Sequence, residues 1–146
     1  MSANSQYATL YKPITGGLGR TFTNATVLSA TLPVGTANTD CASLTLQEGL
    51  YIFDFEMGGT ANNTSTMASV QTYLGSAPAG ASIITEATFI LEPITLTTNR
   101  LTKYKISQVV TVTSPNTVIY GGITATIGVV AFTVSAVLIK ATRLSA

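Results

Sequence analysis

Histidine is absent from the 146-residue chain, which removes the commonest general base, proton shuttle and transition-metal ligand. Ser-His-Asp and Cys-His catalysis are excluded outright. Charge is also scarce: seven basic and six acidic residues make up 9% of the chain, against roughly a quarter in typical soluble domains, with a formal net charge of +1. So small a charge steers neither a nucleic acid nor an anionic membrane, and neither is expected as a partner. The densest basic cluster, Lys103 with Lys105, reads as the solvated face of a strand. Cys41 is the only cysteine, so there is no intramolecular disulfide, and it reads as a small buried apolar group. The first residues, Met1 to Gln6, lack the charged and apolar regions of a secretory signal, which points to synthesis and retention inside a cell. Asn24-Ala25-Thr26 and Asn63-Thr64-Ser65 then read as chance matches to the glycosylation acceptor pattern.

No apolar run reaches the roughly 20 residues that a membrane-spanning helix needs. The nearest is Val129 to Ile139, inside a charge-free stretch that begins at Ile106. Thr124, Thr126, Thr133 and Ser135 interrupt that stretch, and Ser114, Pro115, Asn116 and the pair Gly121 and Gly122 punctuate it as turns would. Strands fit it better than a helix. A sustained 3.6-residue apolar stripe is missing from the whole chain.

What is abundant is Ser and Thr, 38 of 146 residues, and Thr with Val and Ile favours half-buried pleated surfaces. Strands are expected over 19–32, 42–47, 50–57, 69–74, 85–92, 101–113, 117–125 and 130–144. Turn clusters are expected at 33–40, 58–65, 75–81 and 114–116. About eight short strands at this spacing imply an all-β fold, an antiparallel sandwich or jelly roll. It spans residues 20–146 as one domain, preceded by a short N-terminal arm, 1–19.

In 50–57, Tyr51, Phe53, Phe55 and Met57 alternate with Ile52, Asp54 and Glu56, giving one dense aromatic core face. If 85–92 and 101–113 are neighbours, Glu86 or Glu92 faces Lys103 or Lys105. In the last strand Phe132, Val134, Ala136 and Leu138 share a face, yet Val137 and Ile139 make the other face apolar as well. Such a strand is either central in a two-sided core or covered by another subunit, so Val137 and Ile139 are candidate self-association residues. The scarcity of charge points the same way, because broad neutral surfaces tend to be buried in assemblies.

Chemistry-bearing constellations are few. Asp54 and Glu56 are the only close carboxylate pair, two apart on a strand and so on one face, where a solvated role outweighs a glycosidase-like one. The GGLG of residues 16–19 lacks the lysine and helix of a phosphate loop. The tyrosines 7, 11, 51, 73, 104 and 120 could stack on sugars, but core and interface packing is their commoner use. No catalytic residue, cofactor or metal is expected.

From Leu44 onward the chain resembles the small trimeric β-sandwich domains of tailed-phage virion proteins, related in shape to the tumour-necrosis-factor and complement globular-head jelly rolls. LTLQEGLYIFDFEM (Leu44 to Met57), VVTVTSPNTVIYGG (Val109 to Gly122) and VLIKATRL (Val137 to Leu144) carry the resemblance. It implies a homotrimer and a role in virion attachment or adhesion. Residues 1–43 are too short for a fibre shaft, which favours a capsid decoration (cement) protein, made in the host cytoplasm and bound to the major capsid protein in the virion. Tyr7, Leu10, Tyr11 and Ile14 of the arm are the expected shell contacts. The alternative is the receptor-binding tip of a tail fibre or spike, in which exposed Tyr73 and the loops 58–65 and 75–81 recognise a host-surface glycan or protein.

Overall fold

The computed structural model describes residues 18–61, 65–89, 94–96, 102–128 and 132–145. The shell contacts expected at Tyr7, Leu10, Tyr11 and Ile14 lie outside the described residues. The strands are β1 (Thr21–Asn24), β2 (Thr31–Leu32), β3 (Gly35–Leu46), β4 (Gly49–Ala61), β5 (Ser65–Ala77), β6 (Ser82–Phe89), β7 (Ile94–Leu96), β8 (Thr102–Val112), β9 (Thr117–Gly128) and β10 (Phe132–Ser145). No described helix is long and apolar enough to cross a membrane. The charge-free stretch from Ile106 to Ile139 instead supplies parts of β8, β9 and β10.

Two antiparallel sheets form the sandwich. The first runs β1-β10-β4-β8 with β2 also on β10; the second runs β3-β9-β5-β6 with β7 also on β5. β1 and β2 lie end to end along one edge of β10, and β6 and β7 do the same along β5. Each such couple fills a single lane, which leaves four lanes per sheet. Counted along the chain, the first lane pairs with the eighth, the second with the seventh, the third with the sixth and the fourth with the fifth. That is one long hairpin rolled into two layers, the jelly roll expected from the strand spacing.

The core lies between the layers. Tyr51, Phe53, Phe55 and Met57 point inward from β4, each 1% exposed or less, and meet Ile119, Ile123, Ala125 and Ile127 of β9 and Val70 and Leu74 of β5. The close approach of the layers depends on glycine. A Cβ on Gly121 would sit 2.5 to 2.9 Å from three ring atoms of Phe55, so only a hydrogen there admits the ring. Gly121 and Gly122 are therefore not a turn: they lie inside β9, paired with β3 and β5.

Bulges account for most of the other departures from expectation. In β10 the register shifts between Val134 and Ala136, so Phe132 and Val134 point inward before it and Val137, Ile139 and Ala141 after it. Val137 and Ile139, expected at a self-association surface, are core residues of this sandwich, 5% and 0% exposed. Ala136 and Leu138 turn away from the core instead. A second bulge, between Asp40 and Ala42, lies in β3, across a segment expected to be a turn over 33–40. The strand expected over 19–32 is two strands: at the end of β1 Asn24 Nδ2 donates to Ser43 O, and between the strands Leu28 N donates to Cys41 O, both at 2.9 Å, so the connection leaves β10 to bond with β3. β6 and β8 are in different sheets, so Lys105 faces Glu56 and not Glu86, while Glu92 lies outside the described residues.

Gly121→Ala is expected to lower the stability by about 1–3 kcal/mol, as overpacking does, measured by urea denaturation. Adding Phe55→Leu should recover part of that loss. Additive losses in the double variant would show that the ring and the glycine are not coupled.

Candidate functional site

The outer faces of the sheets are chemically unlike. On the first sheet, register places Lys140, Asp54 and Ser107 in one row across β10, β4 and β8, and Leu138, Glu56 and Lys105 in the next. Lys140 Nζ lies 3.4 Å from Asp54 Oδ2, Lys105 Nζ lies 3.3 Å from Glu56 Oε2, and Ser107 Oγ donates to Asp54 Oδ1 at 2.7 Å. These residues line a shallow cleft of about 370 Å³. Asp54 and Glu56 do project from one face, as their spacing requires. Each is held by a lysine in the same kind of solvated ion pair, without the contrast of environments that divides an acid from a base. Exposed pairs of this sort contribute about 0–1 kcal/mol each. Among the described residues no group of three or more Cys, Asp or Glu is placed to hold a metal ion.

The outer face of the second sheet is a lattice of hydroxyls and amides. Thr36 and Thr126 bond through their hydroxyls at 2.8 Å, and Thr124 Oγ1 donates to Asn38 Oδ1 at 2.7 Å. Register sets Tyr73, Gly122 and Asp40 in one row across β5, β9 and β3. A Cβ on Gly122 would lie 2.3 Å from the Tyr73 Cζ and hydroxyl, so the tyrosine lies flat over this glycine. Its hydroxyl reaches across and donates to Asp40 Oδ1 at 2.6 Å. The other carboxylate oxygen, Asp40 Oδ2, accepts the Ala79 N–H at 2.6 Å, and Asn38 Nδ2 donates to Ala79 O at 3.4 Å. Asp40 thereby pins the 3₁₀ turn Pro78–Gly80, in which Ala79 has the left-handed φ of 54°.

This clamp corrects one expectation. Tyr73, expected as an exposed recognition aromatic, is 0% exposed. Tyr51 and Tyr104 are buried in the core and Tyr120 is half-buried. The clamp escaped the sequence reading because Asp40 and Tyr73 are 33 residues apart and meet only through the β3-β9-β5 register. The one available signal was the glycine between them.

Where the chain enters the first sheet, Gly19 N donates to Arg143 O at 2.8 Å and Arg143 N to Arg20 O at 2.9 Å, extending the β1-β10 ladder. Arg20 stacks on Phe22 (4.9 Å to the ring centre), Phe22 meets Tyr51 edge-on (6.2 Å), and Arg143 lies 6.0 Å from the Tyr51 ring. Cation–aromatic contacts of this kind fasten a strand end without a buried ion pair.

No protein-family model and no curated protein matches the sequence. Solved structures do match in fold. Those of the infectious bursal disease virus Gx strain and of the VP2 subviral particle of that virus each have a TM-score of 0.54 and 13% identity, over 85% of this chain and 32% of that chain. The T13 viral particle of the same virus gives 0.54 and 13%, over 85% of this chain and 31% of that chain. The chain thus spans about a third of the structures it matches, and at this identity the likeness is one of fold.

Burial first, and then the neighbouring Asp40 charge, push the Cys41 thiol from its ordinary 9.0 up to about 12. Burial and the Asp40 hydrogen bond raise the Tyr73 hydroxyl well above its ordinary range. Both groups keep in the native state a proton that the unfolded chain releases sooner. Their contribution is fully present below about pH 9 and is lost as the pH rises toward 12. Urea midpoints should fall across that window, and the fall should be shallower in Cys41→Ala. At neutral pH, Tyr73→Phe should cost about 1–3 kcal/mol, since Asp40 loses its donor. A loss below about 0.5 kcal/mol, the low end for one net hydrogen bond, would mean that water replaces the hydroxyl.

Proposed function

We propose that this chain is a non-enzymatic structural protein of a virion, a head decoration or cement protein of a tailed phage. It self-associates as a trimer and binds the major capsid protein through its N-terminal arm. The observation that carries this reading is the rolled eight-lane sandwich itself, whose fold is shared with a virus particle protein across 85% of this chain. The scarcity of charge supports self-association, because a chain that is 9% charged presents broad neutral surfaces to its own copies. The mechanism is binding. Occupying the assembled shell lowers its free energy relative to disassembly, by mass action.

The receptor-tip reading has less support. Its exposed aromatic, Tyr73, is covered, and the turn in its 75–81 loop is pinned by Asp40.

Light scattering on the purified chain should give a trimer, and a monodisperse monomer would overturn the self-association. Deleting residues 2–18, which carry Tyr7, Leu10, Tyr11 and Ile14, should leave the oligomeric mass unchanged and abolish saturable binding to empty capsids. Capsid binding that survives the deletion would remove the arm from the mechanism.

A further inference from the structure

Resting on the self-association proposed above, we infer that a second copy of this chain covers the outer face of the second sheet, while the outer face of the first sheet stays in water. The two faces differ in what covering them would cost. Of the chain's thirteen charged residues, seven basic and six acidic, Lys103, Lys105, Lys140, Asp54 and Glu56 all belong to β4, β8 and β10 of the first sheet. Asp54, Glu56, Lys105 and Lys140 are paired in partly exposed salt bridges, with side chains 37% to 69% accessible. A partner lying on them would strip water from four ions, and the attraction within such pairs seldom makes up that loss.

The face formed by β3, β9 and β5 is the reverse case. The charged side chain described on it is Asp40, and both of its oxygens are already taken, by the Tyr73 hydroxyl and the Ala79 N–H. The next charge in that row, Glu86, belongs to the edge strand β6. Thr36, Thr126, Thr124 and Asn38 bond to one another. A polar group that is already bonded can be covered without leaving an orphaned donor or acceptor, which is the costly outcome. Beyond the Asp40 row, Val118 and Tyr120 of β9 are half-exposed and add apolar area.

The occupant follows from charge. The described side chains of β3, β9 and β5 offer no free charge to a basic or acidic partner. The face they form meets a chain that is itself only 9% charged without like-charge repulsion, and a second copy is such a chain. The first sheet does have a small apolar strip, Ile52 beside Val109, the latter 46% exposed. On one side the next row holds the Asp54 carboxylate with its Ser107 and Lys140 partners, which ends the strip there; on the other side it continues only to half-exposed Leu50 beside Thr111.

The test places one lysine on each face and reads the mass by light scattering over a dilution series. Val118→Lys and Thr126→Lys lie on the second sheet, and Ile52→Lys on the first. Thr45→Lys, at an exposed position of β3, covers the case in which a central-strand variant does not fold, as judged by circular dichroism and the thermal midpoint. The wild type and Ile52→Lys should keep the oligomeric mass, while the folded second-sheet variants fall to the monomer mass. Oligomers that persist in the second-sheet variants, or dissociate in Ile52→Lys, would overturn the choice of face and leave self-association standing. Second-sheet variants that keep their mass but lose capsid binding would assign the face to the shell protein and overturn the second copy as its occupant. A wild type that stays monomeric at every concentration would overturn both this inference and the self-association beneath it.

Discussion

The Phe55 ring resting on the backbone of Gly121 sets how closely the two sheets approach. With 2.5 Å between the ring and the place a Cβ would occupy, β4 and β9 could not come together around any other residue at position 121 without moving apart. The dense column from Tyr51 to Met57 then packs on Ile119, Ile123 and Ile127 at a spacing that this contact dictates. The same device recurs twice. Phe132 lies against Gly59 at the far end of the first sheet, and Tyr73 lies over Gly122 on the outside of the second. Aromatic side chains bury about 150–250 Å² each, so three rings on three glycines concentrate much apolar burial in strands that glycine alone would weaken.

The class of fold was legible in the sequence for a simple reason. Period-2 alternation in 50–57 and 101–113 is local, and each strand displays it whatever its neighbours. The Tyr51, Phe53, Phe55 and Met57 face, and the inward Tyr104, Ile106, Val110 and Val112 of β8, were readable on that basis. Parity fails where a residue is inserted. Ser135 sits at the β10 bulge with its hydroxyl on Gly58 O at 3.3 Å, and the residues beyond it change sides. Read without the bulge, Val137 and Ile139 make a second apolar face; with it, they continue the core face of Phe132 and Val134. The glycine pair misled for a related reason, since Gly-Gly signals a turn unless two large rings, one on each side of the sheet, claim the space. Most strand pairings were not readable, because apart from β5 with β6 they join lanes that are not consecutive in the chain.

The same distance explains the candidate surfaces. Asp54 with Lys140, Glu56 with Lys105 and Asp40 with Tyr73 are each brought together by cross-strand register, so no local motif could announce them. What the sequence did carry was the total: few charges, and no histidine. The fold then divides that supply unequally, with exposed ion pairs on one layer and internally bonded hydroxyls on the other. A protein with a conventional share of charge would spread it over both faces. Here β3, β9 and β5 of the second sheet keep a single described carboxylate, Asp40, and turn it inward on the chain's own loop.

The rolled topology also bears on how an N-terminal arm could act. Because the first lane pairs with the last, Thr21 lies beside Thr142 although 121 residues separate them, and the chain enters the sandwich where it also finishes. An arm attached to a shell would pull on Gly19 and Arg20. Their backbone bonds to Arg143 would carry that load into β10, which is flanked along its length by β4 and at its two ends by β1 and β2. The rings of Phe22 and Tyr51, with Arg20 and Arg143 stacked on them, reinforce the junction without a buried charge. The arm continues into β1, an edge strand, so the load reaches the interior strand β10 only through the β1-β10 ladder and these ring contacts. The pairing of the first and last lanes therefore does more than close the roll: it ties the entry of the chain to an interior strand, so that β1 cannot leave without breaking its ladder with β10.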